Sequence, residues 1–288
     1  MKHIRFDWAI KKLLRNKTNY GILEGLISEL LGQTIKIKSI LESESNPLTK
    51  ESKFNRVDIL ARSTQGELLL IEVQNDTEQD YFHRMLYGSS TLVTEYFNRG
   101  EAYEKIKKVY FIHIVYFPLG KGDDYVYEGR VQFRGRHLDD KLELSPVQQD
   151  LFNKKEIDEI FPEYYLVKVN NFDDDTKDSL DEWIYFLKNS EIKEEFSAQG
   201  LTEAKERLRE EYLSEEESAV YKRYLQDKQY EKSIISTTKA AVELEGRKKE
   251  KRDIAIAMKQ AGSELEFIAQ ITGLSLREVE LITRTPIQ

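Results

Sequence analysis

Val57-Asp58-Ile59-Leu60-Ala61, followed after a polar turn by Leu69-Leu70-Ile71-Glu72-Val73-Gln74, is the stretch that decides how this chain folds. Each run is apolar and β-type, and each carries one carboxylate in its middle, where a strand bound for a core should carry none. A buried, unpaired carboxylate costs several kcal/mol or changes its protonation state. A cation shared between two of them removes that penalty. Ser63-Thr64-Gln65-Gly66 reads as a hairpin turn, so strands over 54–62 and 67–75 are expected to pair. Residues two apart on a strand share a face, which groups Leu70 with Glu72 and Gln74, and Arg56 with Asp58 and Leu60. Asp58 and Glu72 can then converge on one ion. Carboxylate oxygens are the hard ligands that Mg²⁺ or Mn²⁺ prefers, and such an ion polarises a phosphoryl oxygen and activates water. Gln74 would orient that water or a phosphate oxygen by hydrogen bonding. The alternative reading makes Asp58 a hairpin-edge carboxylate and pairs Glu72 with Arg56, Arg62 or Arg84.

Outward from the hairpin, a helix is expected over about 78–97, ended by Asn98-Arg99-Gly100. The apolar, β-branched and aromatic run over 109–117 suits a central strand covered on both faces. A polar turn at 120–124 leads to a half-buried strand over 125–133. A short strand over 164–169 and a helix bearing Leu180, Trp183, Ile184, Phe186 and Leu187 complete a mixed α/β unit. Before the hairpin, residues 6–31 read as helical through Trp8, Ile10, Leu13, Leu14, Ile22, Leu23, Leu26, Ile27, Leu30 and Leu31. A break is expected near 16–21 and a stop at Gly32. Ile35, Ile37 and Ser39 lead into a polar loop around 43–47.

The composition changes after 201, where glycine and proline vanish as far as 245. Ser214-Glu215-Glu216-Glu217 is a capping box opening the longest helix. The basic run 247–252 follows, and Ser263…Glu266 and Ser275…Glu278 flank Thr272-Gly273 in a helix-turn-helix shape. Beyond Gly273 the only basic residues are Arg277 and Arg284, thin for a helix that reads DNA. Leu265, Ile268, Ile271, Leu274, Leu276, Val279 and Leu281 point instead to a packing or oligomerisation unit.

Cysteine is absent from the 288 residues, which excludes disulfides, zinc–thiolate sites, iron–sulfur clusters and cysteine nucleophiles. No apolar run approaches the roughly 20 residues of a membrane span, and the start lacks a signal-peptide core, so a cytoplasmic protein with no membrane partner is expected. The net charge of −8 argues weakly against nucleic acid, although a basic groove can sit on an acidic protein. Lys105, Lys107 and Lys108 form one local basic cluster, and Arg130, Arg134 and Arg136 another.

Phe54-Asn55-Arg56-Val57-Asp58-Ile59-Leu60-Ala61, then Gly66-Glu67-Leu68-Leu69-Leu70-Ile71-Glu72-Val73-Gln74-Asn75, closely resembles the Rpn family of recombination-promoting nucleases, also described as PD-(D/E)XK nuclease family transposases. The helix through Asp80–Tyr87, Gly100-x-x-Tyr103, the apolar strand, Trp183 and the tail Ile268-Ala269-Gln270-Ile271-Thr272-Gly273-Leu274-Ser275 follow in that family's order. The resemblance implies an α/β PD-(D/E)XK restriction-endonuclease-like core, with a mixed central sheet flanked by helices, over 1–190. An all-helical C-terminal region over 191–288 follows it. It further implies Asp58 and Glu72 as metal ligands, with Gln74 where relatives of the wider fold often carry lysine. A carboxylate from the first helix often joins them, and Glu24 is the best match for that ligand; a surface or helix-stabilising role is the other reading. Arg84 and Tyr87, three apart on one helix face, would touch the scissile phosphate or a carboxylate, unless Arg84 simply pairs with Glu72 or Glu78. His83 and His113 read as packing residues. The implied activity is Mg²⁺- or Mn²⁺-dependent DNA endonuclease action in recombination or mobile-element biology, with DNA as partner. A homo-oligomer, a dimer by preference, would assemble through the C-terminal helices. The alternative is a catalytically silent nucleic-acid-binding or oligomeric protein that keeps the fold.

Overall fold

The computed structural model describes residues 3–6, 8–9, 20–41, 56–96 and 102–284. Helix α1 (Gly21–Leu31) buries Ile22, Leu23, Leu26, Ile27 and Leu30 at helical spacing, and Gly32 closes it as expected. The expected helical positions at 10, 13 and 14, the break over 16–19, the loop at 43–47 and the stop at 98–100 lie outside the described residues.

Strand β1 (Ile37–Leu41) stands where the approach to a loop was expected, and pairs antiparallel with β2 (Arg56–Ser63). Only five residues long and graded in burial, it has too short an alternation to stand out in the sequence. β2 pairs antiparallel with β3 (Leu68–Gln74) across the expected hairpin. Gly66 takes φ 89° in the turn, and Ser63 Oγ accepts the amides of Gln65 and Glu67. Helix α2 (Tyr81–Glu95) crosses over to β4 (Val109–Val115), buried at every position. β5 (Val126–Gly129) and β6 (Glu163–Lys168) complete a six-stranded sheet of order β1-β2-β3-β4-β6-β5. β3, β4 and β6 run parallel, and β5 is antiparallel on the edge. The strand expected over 125–133 stops at Gly129 because its partner runs out: Gly129 faces Tyr164, one residue from the start of β6. Arg130, Arg134 and Arg136 therefore lie outside the sheet. Lys108 leaves the other basic cluster, being buried on the carbonyls of Asp158 and Phe161 and on Glu163.

Helix α3 (Pro146–Phe152), opened by a Ser145 capping box, was not expected. Helix α4 (Ser179–Asn189) buries Trp183, Ile184, Phe186 and Leu187 as its spacing predicts. One face of the sheet carries α2, whose Tyr81, Met85 and Leu92 pack against Leu60, Leu68, Val109, Phe111, Val115 and Leu166. On the other, Gln33 after α1 donates to the Tyr110 hydroxyl, and Tyr116 donates to the Leu187 carbonyl of α4.

The first compact unit runs to Leu213, not to 190. Helix α5 (Leu201–Arg207) belongs to it through a backbone approach too close for side chains. A Cβ on Gly25 would lie 2.1 Å from the Gln199 carbonyl oxygen, the same oxygen that accepts from Trp183 Nε1. The second unit, Ser214–Gln288, begins with the predicted Ser214 capping box and helix α6 (Glu215–Gln260), 46 residues long. The basic run is part of this helix and does not interrupt it. Helices α7 (Leu265–Thr272) and α8 (Leu276–Arg284) fold back on its end around Ala255, Ile268 and Val279. Ser275 and Glu278 form the expected box, whereas α7 is capped at Glu264 with no side-chain cap from Ser263. Among the described residues no helix is long and apolar enough to cross a membrane.

Candidate active site

Register across the sheet explains where polarity is tolerated. On the α2 face, Leu60, Leu70, Phe111 and Tyr164 form one apolar row across β2, β3, β4 and β6. The next row toward the carboxyl ends of the parallel strands is Asp58, Glu72, His113 and Leu166, and the one after is Arg56, Gln74, Val115 and Lys168. Positions 58 and 72 are direct cross-strand partners, as the hairpin reading required. The Asp58 side chain lies outside what is described.

Glu72 is buried and held from two sides. Its Oε1 meets the Arg84 guanidinium, and its Oε2 lies 3.2 Å from His113 Nδ1. Arg84 projects from the first turn of α2, stacks over the Tyr81 ring and also pairs with Glu78 in the loop before the helix. Glu78 Oε1 in turn accepts from Gln74 Nε2 at 3.0 Å. Gln74 is buried at 3% exposure, and its Oε1 has no hydrogen-bond partner among the described residues. Leaving an acceptor so buried costs about 1–3 kcal/mol.

His113 was expected to be a core residue, and it is one, but its ring also touches the site carboxylate. The Tyr81 hydroxyl lies 3.1 Å from the same Nδ1. Burial lowers the imidazole from its ordinary 6.5 to about 4, so the ring is neutral near pH 7. The hydrogen on Nδ1 then gives Glu72 a donor, whereas Nε2 has no acceptor to use one. A histidine that binds its proton more weakly folded than unfolded penalises folding in acid. Stability is therefore present above the unfolded value and lost as pH falls from 6.5 toward about 4. Between pH 7 and pH 5 the loss is about 2 kcal/mol. Urea denaturation of wild type and His113→Asn at both pH values should show that extra loss in wild type alone; equal pH slopes would refute it.

Of the other sequence candidates, Glu24 and Tyr87 are not brought to Glu72. Both Glu24 oxygens are committed, Oε2 to Lys36 Nζ and Oε1 to the Ile37 amide, each at 2.8 Å, which ties α1 to the start of β1. Tyr87 is 75% exposed, since α2 turns Tyr81, Met85, Ser89 and Leu92 inward. His83 is exposed as well and does not pack. Sequence reading offered Glu72 and Glu78 as partners of Arg84, and both are, but it missed the hold of Glu78 on Gln74 and the role of Tyr81. The spacing Gln74…Glu78…Arg84 was the available signal.

Among the described residues no group of three or more His, Asp or Glu side chains is placed to hold a metal ion. The donor types nonetheless fit a hard divalent cation. Glu72 is a carboxylate, Gln74 Oε1 is an amide oxygen without a hydrogen-bond partner among the described residues, and Asp58 is the cross-strand position.

Acidic residues at directly paired positions of a β-hairpin, backed by a helix and a buried parallel strand, are the arrangement of a nuclease-type α/β protein. The chain belongs to the PD-(D/E)XK nuclease family transposases, whose family model matches residues 4–238. Its role is accordingly nuclease-like and related to recombination or transposition, in a family that generally uses divalent metals. No curated protein and no solved structure matches the chain significantly.

Proposed function

We propose that this protein is a divalent-metal-dependent DNA endonuclease acting in the cytoplasm in recombination or mobile-element biology. The observation that supports it most is the direct pairing of Asp58 with Glu72, one row beyond the apolar row of Leu60, Leu70, Phe111 and Tyr164 on that face. Asp58 and Glu72 hold Mg²⁺ or Mn²⁺, with Gln74 beside them. When bound, such an ion polarises the phosphoryl group and makes water a better nucleophile at neutral pH. His113 and Tyr81 hold Glu72 in orientation, and Arg84 balances the carboxylate charge and faces incoming phosphate. Glu24 and Tyr87 have no part in it. The test is nicking of supercoiled plasmid DNA by the purified chain in Mg²⁺, Mn²⁺ or EDTA. Cutting in metal alone is expected, and no cutting in any metal, with DNA still retained on a gel, would overturn the reading. That result would favour the silent DNA-binding alternative, which the occupation of Glu72 by Arg84 supports.

Cutting both strands calls for two sites, and we assign dimerisation to the C-terminal unit. Phe267 and Ile271, one turn apart on α7, are exposed, as is Leu281 on α8. A dimer mass is expected by light scattering for wild type and a monomer for Phe267→Glu/Ile271→Glu. A dimer in both would move the interface elsewhere.

A further inference from the structure

Gln74 stands where a positively charged amine would donate to water or phosphate, but its own donors are spent. Its Nε2 lies 3.0 Å from Glu78 Oε1 and 3.3 Å from the Asp76 carbonyl oxygen. Both of those atoms accept hydrogen bonds, so the end of the amide facing them is the NH₂ group, and the two contacts use both of its hydrogens. The amide oxygen is left buried and, among the described residues, without a hydrogen-bond donor. Buried polar atoms are nearly always partnered, and an acceptor beside two carboxylate positions suits a cation.

The backbone sets this arrangement. Glu72 and Gln74 are two apart on β3 and share its α2 face, with positions 58 and 56 opposite them on β2. The loop after β3 returns Glu78 to the Gln74 side chain, four residues on. Glu78 also takes Arg84 through its second oxygen, so one carboxylate fixes two groups flanking Glu72.

We propose that Glu78 is a positioning residue that holds Gln74 with its amide oxygen turned into the site, and that this oxygen is a third hard donor to the divalent cation beside Asp58 and Glu72. The proposal rests on the metal-dependent reading above. It gives Gln74 a role opposite to that of an amine: it offers a lone pair to the ion and no proton to water. A neutral donor also suits a site where Arg84 already contributes positive charge, because it adds coordination without a third carboxylate.

The test is Mn²⁺ binding to the full-length protein without DNA, followed by the electron paramagnetic resonance signal of free Mn²⁺, with thermal melts to confirm folding. Gln74→Leu, which keeps the bulk and removes the oxygen, is expected to weaken Mn²⁺ about 10-fold or more. Glu78→Ala, which lets the amide turn, is expected to weaken it roughly 10- to 100-fold, the usual cost of losing a group that orients a ligand. The swap Gln74→Glu/Glu78→Gln keeps an oxygen facing the site and a donor behind it, and should bind at least as tightly as wild type. Glu72→Gln serves as the reference. If Gln74→Leu binds Mn²⁺ as wild type does while Glu72→Gln has lost it, the proposal fails and the nuclease reading stands. If wild type binds no Mn²⁺, or Glu72→Gln binds it unchanged, the metal-dependent reading fails and takes the proposal with it. Should Gln74→Leu not fold, the swap decides: a folded swap variant that has lost Mn²⁺ overturns the proposal.

Discussion

Asp58→Asn and Glu72→Gln should each reduce metal-dependent nicking of supercoiled plasmid by about 1,000-fold or more, equivalent to about 4 kcal/mol of transition-state stabilisation. Both substitutions keep the size of the side chain and remove its charge, so the hairpin register that pairs positions 58 and 72 is left in place. A neutral amide oxygen is a weaker donor to a hard cation than a carboxylate. The loss should therefore fall on the metal-dependent step and leave DNA retention on a gel close to wild type. Glu72→Gln has a second consequence that Asp58→Asn does not share. It deprives Arg84 of one of its two carboxylates, leaving Glu78, and it changes what His113 Nδ1 donates to. A lower melting temperature is expected for Glu72→Gln on that account, so activity is compared well below both melts. Wild-type cutting by both variants would place the activity in a contaminant or another site.

How much of this was legible beforehand depends on the range of the interaction involved. Asp58 and Glu72 were visible because a period of two leaves a carboxylate exposed as an exception within an apolar run. The strand at 109–115 was visible because burial on both faces leaves no alternation at all. Ser214 and Ser275 were visible because a capping box is complete within four residues. His113 as a partner of Glu72 was not, because that pairing depends on parallel register between β3 and β4, separated by a whole helix. Glu24 illustrates the opposite failure. A carboxylate on the first helix matches a metal ligand by type and order, yet Lys36 and the Ile37 amide, only 12 and 13 residues away, take both of its oxygens. Tyr87 failed for a geometric reason. Three residues advance a helix by about 300°, not a full turn, and Arg84 already lies at the margin of the buried face, so Tyr87 rotates into solvent. The domain boundary was missed because the approach of Gly25 to the Gln199 carbonyl leaves no trace in composition.

Arg84→Met should destabilise the metal-free protein by about 3 kcal/mol, the low end of the range for breaking a buried ion pair from one side. The low end is appropriate because Glu72 is 9% exposed at its side chain and Arg84 18%, while Glu78 at 30% is partly screened by water. Methionine fills the space and preserves contact with Tyr81 without supplying charge. Glu72 keeps His113 Nδ1 and Glu78 keeps Gln74 Nε2, but both carboxylates lose the guanidinium that balanced their charge. If a divalent cation binds the same carboxylates, it should restore what the guanidinium provided. Saturating Mn²⁺ at about 100 times its dissociation constant contributes about 2.7 kcal/mol to any state that binds it. Removing a competing positive charge should also tighten binding, so Mn²⁺ is expected to raise the urea midpoint of Arg84→Met further than that of wild type. Arg84→Lys should fall between, since it keeps the charge and loses the fork that reaches Glu72 and Glu78 together. Equal Mn²⁺ stabilisation of wild type and Arg84→Met would mean that ion and guanidinium do not share Glu72, and the cation would have to be sought away from β3. A larger gain in Arg84→Met would identify the arginine as the charge that holds this site together before the metal arrives.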